Sequence, residues 1–281
     1  MDERSTDIAM VIPRPMEWTP ENVRLFWEYW SQRPDLEDRY FARQVGEAVL
    51  EFASCYAALT GAMVLDLGSG PGFLVDRLLT RGARVHAADV SERSLARLEK
   101  RLAGREGWLG GRLLDGSSIP WPNGTFDLVC CLETIEHLTD VECAQTLAEA
   151  RRVLKPSGKL LVTTPNEERL EENLTLCPNC GSIYHRMQHL RSWSATDLVG
   201  ALQQAEFDVR FCAGLNFSAS IPARQSLYTM SLCDVVRWVR GRAGAWLKGN
   251  AGSFPDNPAV AAMVNTGAPI HLAAIAERRT G

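Results

Sequence analysis

Three acidic residues and a glycine-rich turn are spaced so that they could bind a small cationic ligand. Residues 64–72 read Val-Leu-Asp-Leu-Gly-Ser-Gly-Pro-Gly. An apolar strand therefore leads straight into glycines, which let the chain turn sharply and let a ligand approach the main chain. Asp66 precedes the glycines, and a carboxylate there repels a pyrophosphate but attracts a cationic amino acid. Phe73 also stands where a dinucleotide-binding motif needs its third glycine.

Two further acids follow at the ends of predicted strands. Asp89 lies 23 positions beyond Asp66, where a carboxylate can accept hydrogen bonds from both hydroxyls of a ribose. Asp115 ends the next predicted strand. Three acids in order, each at a strand end, favour a nucleoside-type ligand over the alternative of an ordinary strand-to-helix turn.

A second chemically active group lies between residues 177 and 189. Its spacing, C-x2-C-x4-H-x3-H, places Cys177, Cys180, His185 and His189 within thirteen residues. Four thiolate and imidazole ligands suit tetrahedral zinc, and a glycine after the second cysteine is typical of zinc knuckles. The alternative is two free thiols beside unrelated histidines. The spacing predicts one structural zinc ion, with the two cysteines as its firmest ligands.

The elements that must position these residues alternate between strand and helix. Predicted strands cover residues 63–67, 83–88, 112–114, 126–132, 159–164, 207–211 and 270–276. Predicted helices cover residues 41–59, 73–80, 92–102, 141–154 and 196–205, and a further helix starts at Thr19-Pro20. This alternation predicts an α/β, doubly wound fold with a seven-stranded, mostly parallel sheet that has helices on both faces.

The predicted domain organisation has two parts. Residues 1–40 form an N-terminal tail and an aromatic-rich helical lid, and residues 41–281 form the main domain with two long insertions. The first insertion, residues 166–193, holds the cysteines and histidines. The second, residues 216–269, mixes tryptophans and aliphatic residues with basic ones. We expect it to form a lid over a substrate pocket or a homodimer contact, with peripheral membrane contact as the alternative.

Composition narrows the classes of protein further. The 281 residues carry a net charge of −4, which does not favour a nucleic-acid-binding protein. We see neither a signal peptide nor an apolar run long enough to span a membrane. The adjacent Cys130 and Cys131 lie inside an apolar run and indicate reduced, buried thiols. These features predict a cytoplasmic protein.

The motifs around the glycine turn resemble those of class I S-adenosylmethionine (SAM)-dependent methyltransferases, in the large group that includes the ubiquinone-pathway O-methyltransferases. The resemblance covers about residues 40–215 and 268–280. It implies that Asp66 orients the methionine part of SAM and that Asp89 holds the ribose hydroxyls. Val90 would pack on the adenine, and Asp115 would accept a hydrogen bond from the adenine amino group. The full set of cofactor-binding residues that it implies is Asp66, Gly68, Ser69, Gly70, Gly72, Asp89, Val90, Asp115, Gly116 and Leu132.

The acceptor side of such a site would lie just after the fourth strand, in Glu133-Thr134-Ile135-Glu136-His137. An oxygen nucleophile usually needs a base. His137, with an ordinary pKa of about 6.5, is the candidate catalytic residue, together with Glu136. The alternative is that this pair caps the following helix.

Three functions remain open on the sequence alone. The first is SAM-dependent O-methylation of a small-molecule or carbohydrate hydroxyl. The second follows from the E-x-x-E-H pattern, which resembles the metal motif of RNA 3′-terminal ribose methyltransferases, with His185 or His189 as the later ligand. The third is a non-catalytic SAM-binding module whose zinc loop contacts a partner. Of these, the sequence favours the first.

Overall fold

A computed structural model describes residues 12–116, 118–218, 263 and 269–279. The predicted tail before residue 12 lies outside these residues. So does nearly all of the second insertion, so the predicted lid, dimer or membrane role of residues 216–269 concerns a part of the chain that the structure does not describe. Among the described helices, none has both the length and the apolar character that crossing a membrane requires.

The core of the fold is a seven-stranded sheet of order β4-β3-β2-β5-β6-β10-β9. Strand β10 is antiparallel to both of its neighbours, β6 and β9, and the other pairs are parallel. The predicted doubly wound, mostly parallel sheet is therefore confirmed. Its strands are β2 (Met63–Leu67), β3 (Arg84–Asp89), β4 (Trp108–Leu113), β5 (Phe126–Leu132), β6 (Leu154–Pro165), β9 (Phe207–Leu215) and β10 (His271–Arg278).

Helices cover both faces of this sheet and bury two apolar layers. One layer packs helices α2 (Phe41–Ser54), α3 (Phe73–Thr80) and α4 (Glu92–Leu102) against the sheet. The other packs α5 (Asp140–Val153) and α6 (Ala195–Gln204) against the opposite face. Because both faces are covered, the central strands direct apolar side chains to both layers, as in Val64 and Leu65, which are both fully buried.

The N-terminal helix begins where local chemistry predicts. Helix α1 covers Pro20–Ser31, and the side chain of Thr19 accepts a hydrogen bond from the amide of Asn22. A short 3₁₀ helix, Pro34–Arg39, joins it to α2. Ser91, Thr139 and Ser194 cap α4, α5 and α6 in the same way, so a hydroxyl satisfies the first free amides of each helix.

The first insertion forms a second, three-stranded sheet of order β1-β8-β7. Strands β7 (Leu174–Leu176) and β8 (Ser182–His185) form an antiparallel hairpin. Strand β1 (Arg14–Pro15), from the N-terminal segment, pairs with β8 in parallel. The insertion thus has structure of its own, and it is hydrogen-bonded to the segment that leads into α1.

Several predicted element boundaries were wrong. The helix predicted over residues 41–59 ends at Ser54, and the strand predicted to end at residue 211 continues to Leu215. Two further boundaries, at β4 and β6, show the reason. Strand β4 begins at Trp108 and not at residue 112, because Gly110 and Gly111 weaken the strand pattern in the sequence. Strand β6 begins at Leu154, so this residue, which was predicted to end a helix, already pairs with β5 and lies opposite Phe126. Tertiary pairing decides both boundaries, and single-sequence patterns do not report it.

We expect Gly72→Ala to lower the free energy of unfolding by about 2–4 kcal/mol, because it adds left-handed strain and overpacking. Gly72 has φ +78°, and a Cβ there would lie 1.9 Å from Leu98 of α4. Gly104→Ala is the matched control, because its φ is +76° and no atom lies within 4 Å of an added Cβ. Urea denaturation of both variants measures the difference. Equal losses would contradict a packing role for Gly72.

Candidate active site

A single cavity of about 800 Å³ opens at the carboxyl ends of β2, β3 and β5, where doubly wound sheets bind their ligands. It brings together nearly all of the residues predicted to bind a cofactor, and it also reaches Glu136 and His137. The predicted cofactor residues that line it are Asp66, Gly68, Ser69, Gly70, Asp89, Val90, Asp115, Gly116 and Leu132. Gly72 does not line the cavity, since its role is the close packing of α3 on α4.

The glycine turn is held in shape by its own amides. The amides of Gly68 and Ser69 both donate to the carbonyl of Ala88, at 2.9 and 3.1 Å. Gly68 has φ +77°, and a Cβ there would lie 2.4 Å from Oγ1 of Thr134. Glycine is therefore required at residue 68 for packing against the acceptor-side loop as well as for its backbone conformation.

Asp89 braces the same turn. Its Oδ2 accepts the Gly70 amide at 2.7 Å, and its Oδ1 accepts the Ser91 amide at 2.9 Å. Each carboxylate oxygen can accept more than one hydrogen bond. Asp89 can therefore hold the turn and still receive hydroxyl donors from a ligand in the cavity.

Asp66 is a second buried acid at this end of the sheet. It is 3% exposed, and its Oδ2 has no hydrogen-bond partner among the described residues. Burial, with a smaller contribution from the charge of Asp89, raises its pKa to about 8. A cationic group bound in the cavity would stabilise the ionised form, so the site suits the positively charged ligand that the sequence predicts.

Glu136 lies at the acceptor side of the cavity, in the 3₁₀ turn Ile135–His137. It is 1% exposed and accepts a hydrogen bond from Oγ1 of Thr164 at 3.0 Å, while its Oε1 has no partner among the described side chains. Burial and then the nearby Glu133 raise the pKa of Glu136 well above its usual range. A cation or a hydrogen-bond donor at Oε1 would offset this cost.

The His137 ring contacts the backbone carbonyls of Gln188 and Glu133. Its Nδ1 lies 3.4 Å from the carbonyl of Gln188, which can only accept, so a neutral ring that donates from Nδ1 keeps a lone pair on Nε2. Nε2 lies 3.9 Å from Oε1 of Glu136, and the ring packs edge-on against Trp27. Burial, and then His189, lower the pKa of His137 to about 3, so His137 is neutral at physiological pH.

Glu168, His185 and His189 of the first insertion form a polar group beside the cavity. Glu168 Oε2 lies 2.5 Å from Nδ1 of His189, and its Oε1 lies 3.3 Å from Nε2 of His185. The rings of His185 and His189 stack with centroids 4.4 Å apart, and His189 in turn lies 5.0 Å from the His137 ring. Of the three, only His189 lines the cavity.

The prediction of a four-ligand zinc site has to be corrected, because the structure separates the two cysteines from the two histidines. Among the described residues, the groups close enough to share a metal ion are Glu136–His137–His189 and Glu168–His185–His189, and neither includes Cys177 or Cys180. Strand β8 starts just after the cysteines, and its rise of roughly 3.3 Å per residue carries His185 away from them. Cys180 is exposed and lies 3.2 Å from Oγ of Ser182.

Several cavity residues carried no distinguishing signal in the sequence. Tyr40 lies over Gly70, and Trp27 donates from Nε1 to Gln188 at 3.0 Å; the sequence indicated only that some rings of this aromatic stretch would face a ligand. Glu168, which lies behind the cavity lining, is one of several glutamates in its segment, and the sequence does not distinguish it from the others.

Comparisons with known proteins agree with this arrangement. Residues 64–158 match the family model described as a methyltransferase domain. A Mycolicibacterium smegmatis protein, described as a probable S-adenosylmethionine-dependent methyltransferase, is 31% identical over 161 residues, which are 57% of this chain and 58% of that protein. The ubiquinone biosynthesis O-methyltransferase of Xanthomonas euvesicatoria is 34% identical over 119 residues, 42% of this chain and 48% of that protein. The chain thus spans about half the length of these curated relatives.

A solved structure extends the likeness over most of the chain. The crystal structure of 1,6-didemethyltoxoflavin-N1-methyltransferase from Burkholderia thailandensis, with bound 1,6-didemethyltoxoflavin and S-adenosylhomocysteine, has a TM-score of 0.58 and 17% identity. The alignment covers 96% of this chain and 94% of that chain. At this identity, the likeness establishes the fold alone.

We expect Asp66→Asn to remove a pH-dependent loss of stability in the ligand-free protein. The pKa of Asp66 is about 8 in the folded protein, above its ordinary value of 3.8. The unfolded chain therefore binds fewer protons between these values, and stability falls as pH rises through this window. Melting temperatures of wild type and variant at pH values of about 5 and about 8 measure the effect. The variant should gain more at the higher pH.

The matched control for this experiment is Asp76→Asn. Asp76 lies on α3, is about half exposed and pairs with Arg105 at 3.1 Å, so it does not share the buried environment of Asp66. If Asp66→Asn shifted the melting temperature equally at both pH values, Asp66 would already be ionised in the folded, ligand-free protein.

Proposed function

We propose that this chain, whose residues 64–158 match a methyltransferase domain, is a class I SAM-dependent methyltransferase that transfers the methyl group of SAM to a hydroxyl oxygen of a small molecule or a carbohydrate. One observation carries the proposal. The acidic glycine-turn site and the Glu136–His137 pair line the same cavity, and Leu132 and Glu133 join them as consecutive residues at the end of β5.

The cofactor half of the proposal rests on charge and shape. SAM carries an ammonium and a sulfonium, and the cavity presents the buried carboxyl of Asp66 with one oxygen unpartnered among the described residues. Asp89 offers its carboxylate at the end of the next strand, and Asp115 lines the cavity beyond it. We assign these positions, in order, to the methionine, ribose and adenine parts of SAM.

The acceptor half rests on His137. In the transfer, the hydroxyl oxygen attacks the methyl carbon while the carbon–sulfur bond breaks, giving the methyl ether and S-adenosylhomocysteine. The hydroxyl becomes a strong acid as its oxygen bonds to carbon, so a weak base suffices to take the proton. The Nε2 lone pair of His137 provides that base beside Glu136.

We expect Asp89→Ala to weaken SAM binding by about 1.5–3 kcal/mol, because it removes charge-assisted hydrogen bonds to the ribose. Isothermal calorimetry with SAM and with S-adenosylhomocysteine measures the loss. Asp76→Ala, on the exposed side of α3, serves as the control and should bind like the wild type. Equal affinity of Asp89→Ala and wild type would remove the ribose assignment.

We expect His137→Ala to slow methyl transfer by roughly 100-fold or more while SAM binding changes little, as for the loss of a general base. Purified protein is incubated with SAM carrying a labelled methyl group and fractionated metabolites, and products gaining one methyl are identified by mass spectrometry. His86→Ala is the control, since His86 lies beside Trp121 and outside the lining of the cavity. SAM binding without any methylated product would instead support a non-catalytic binding module.

A second candidate function is metal-assisted methylation of the 3′-terminal ribose of RNA. One arrangement favours it: ligand atoms of Glu136, His137 and His189 all lie within 4.8 Å of one another. Two imidazoles and a carboxylate suit ions such as Mn²⁺ or Zn²⁺. A divalent ion bound there would polarise the acceptor hydroxyl. The net charge of −4 argues against a long nucleic-acid contact and keeps this candidate second.

Chelation separates the two candidates. If the second is correct, EDTA treatment abolishes methyl transfer to an RNA oligonucleotide with a terminal ribose diol, Mn²⁺ restores it, and Glu136→Gln loses the response. Glu172→Gln is the control, because Glu172 is exposed and pairs with Arg169 at 2.9 Å. Activity on a small hydroxyl compound that EDTA leaves unchanged would reject the metal-assisted route.

A further inference from the structure

The polar group Glu168–His185–His189 is built around one carboxylate with an imidazole at each oxygen. Glu168 Oε2 contacts His189 at 2.5 Å and Oε1 lies 3.3 Å from His185, while Asn173 also donates to Oε1 at 3.2 Å. Glu168 is about four-fifths buried and His185 is almost completely buried. Burial opposes ionisation of Glu168, but its contacts with the two imidazoles lower its pKa below the usual range. Glu168 is therefore a carboxylate.

The backbone fixes the protonation of His185. Its Nδ1 accepts the amides of Met187 and His189, at 3.3 and 3.2 Å, so in the neutral ring the proton lies on Nε2. That Nε2 faces Glu168 within ion-pair distance, although it makes no hydrogen bond of good geometry. With Nδ1 committed to two donors and Nε2 protonated, His185 has no lone pair for a metal ion. Its chemistry is to hold Glu168 in place.

In the neutral ring of His189, the proton and the lone pair lie on the opposite nitrogens from those in His185. A carboxylate can only accept, so the short contact with Glu168 places the proton of His189 on Nδ1 and leaves a lone pair on Nε2. The ring lines the cavity and lies beside His137. His137 is oriented in the same sense by the Gln188 carbonyl. Two adjacent histidines are thus each anchored through Nδ1 by an acceptor outside the cavity.

We infer that Glu168 is a positioning residue for His189: it fixes the ring and its tautomer so that an unprotonated Nε2 joins Glu136 and His137 at the acceptor side of the cavity, with His185 bracing Glu168 from behind. A carboxylate or carbonyl acceptor behind a histidine is the arrangement that prepares an imidazole to act as a ligand or a base. The inference rests on the proposed function, in which this side of the cavity binds the acceptor. The first insertion then serves to supply the His189 side chain to that site.

The first test observes the tautomer directly. Nitrogen-15 NMR of the histidine rings, with His189→Gln used to assign the signals, should show an unprotonated Nε2 in wild-type His189. Glu168→Ala should convert His189 to a mixture of tautomers, whereas Glu168→Gln, which keeps an acceptor oxygen, should retain most of the wild-type tautomer. Glu172→Ala is the control and should leave the spectrum unchanged. A protonated Nε2 in the wild type, or a tautomer indifferent to Glu168→Ala, would overturn the inference.

The second test uses Mn²⁺ alone as a probe and needs no methyl acceptor. Calorimetry should show binding to the wild type and a loss of about 10- to 100-fold in affinity for Glu168→Ala, the usual cost of removing a partner behind a ligating histidine. Equal affinity of the two proteins for Mn²⁺ would count against positioning by Glu168. If the wild type binds no Mn²⁺, the metal-assisted candidate fails, and the NMR result alone decides the inference. If Glu168→Ala does not fold, Glu168→Gln is used, with a smaller expected loss.

Discussion

The free-energy cost of burying carboxylates along one edge of the sheet governs how the cavity is built. Asp66, Asp89 and Glu136 are each at least nine-tenths buried, and an unpaired buried charge is unfavourable by several kcal/mol. Asp89 is compensated by two amides, and Glu136 in part by Thr164. Asp66 keeps an oxygen without a partner among the described residues. The glycine turn therefore admits a ligand. It also donates the Gly70 amide to Asp89, which offsets part of the free-energy cost of burying that carboxylate.

The two halves of the cavity are coupled through the end of β5. Glu133 follows Leu132 directly and has φ +45°, a conformation that non-glycine residues seldom adopt. This turn sends the chain from the cofactor side to Glu136 and His137 and places Thr134 beneath Gly68. A change in the turn after β5 would therefore disturb the glycine turn as well, and backbone strain of this kind is concentrated at functional sites.

Residues whose partners are near in sequence could be predicted, and residues whose partners are distant could not. The bounds of α3 and the cap at Thr19 follow from local patterns, and so does the placement of Asp66 and Asp89 at strand ends. The role of Glu168 depends on two histidines that lie about twenty residues further along the chain. The zinc prediction failed for a related reason: spacing alone does not show that a strand separates cysteines from histidines.

The pairing of β1 with β8 joins Arg14 to Ser182, so the acceptor wall is closed by segments that are far apart in the chain. Contacts of such large sequence separation form late, since loop-closure entropy must be overcome before they contribute stability. During synthesis, β1 and the helix α1 that follows it have no β8 to contact until the residues of β2 to β6 have been added to the chain. The contacts that join the N-terminal segment to the first insertion can therefore form only after the residues of the glycine turn and of the Glu136–His137 pair have been synthesised.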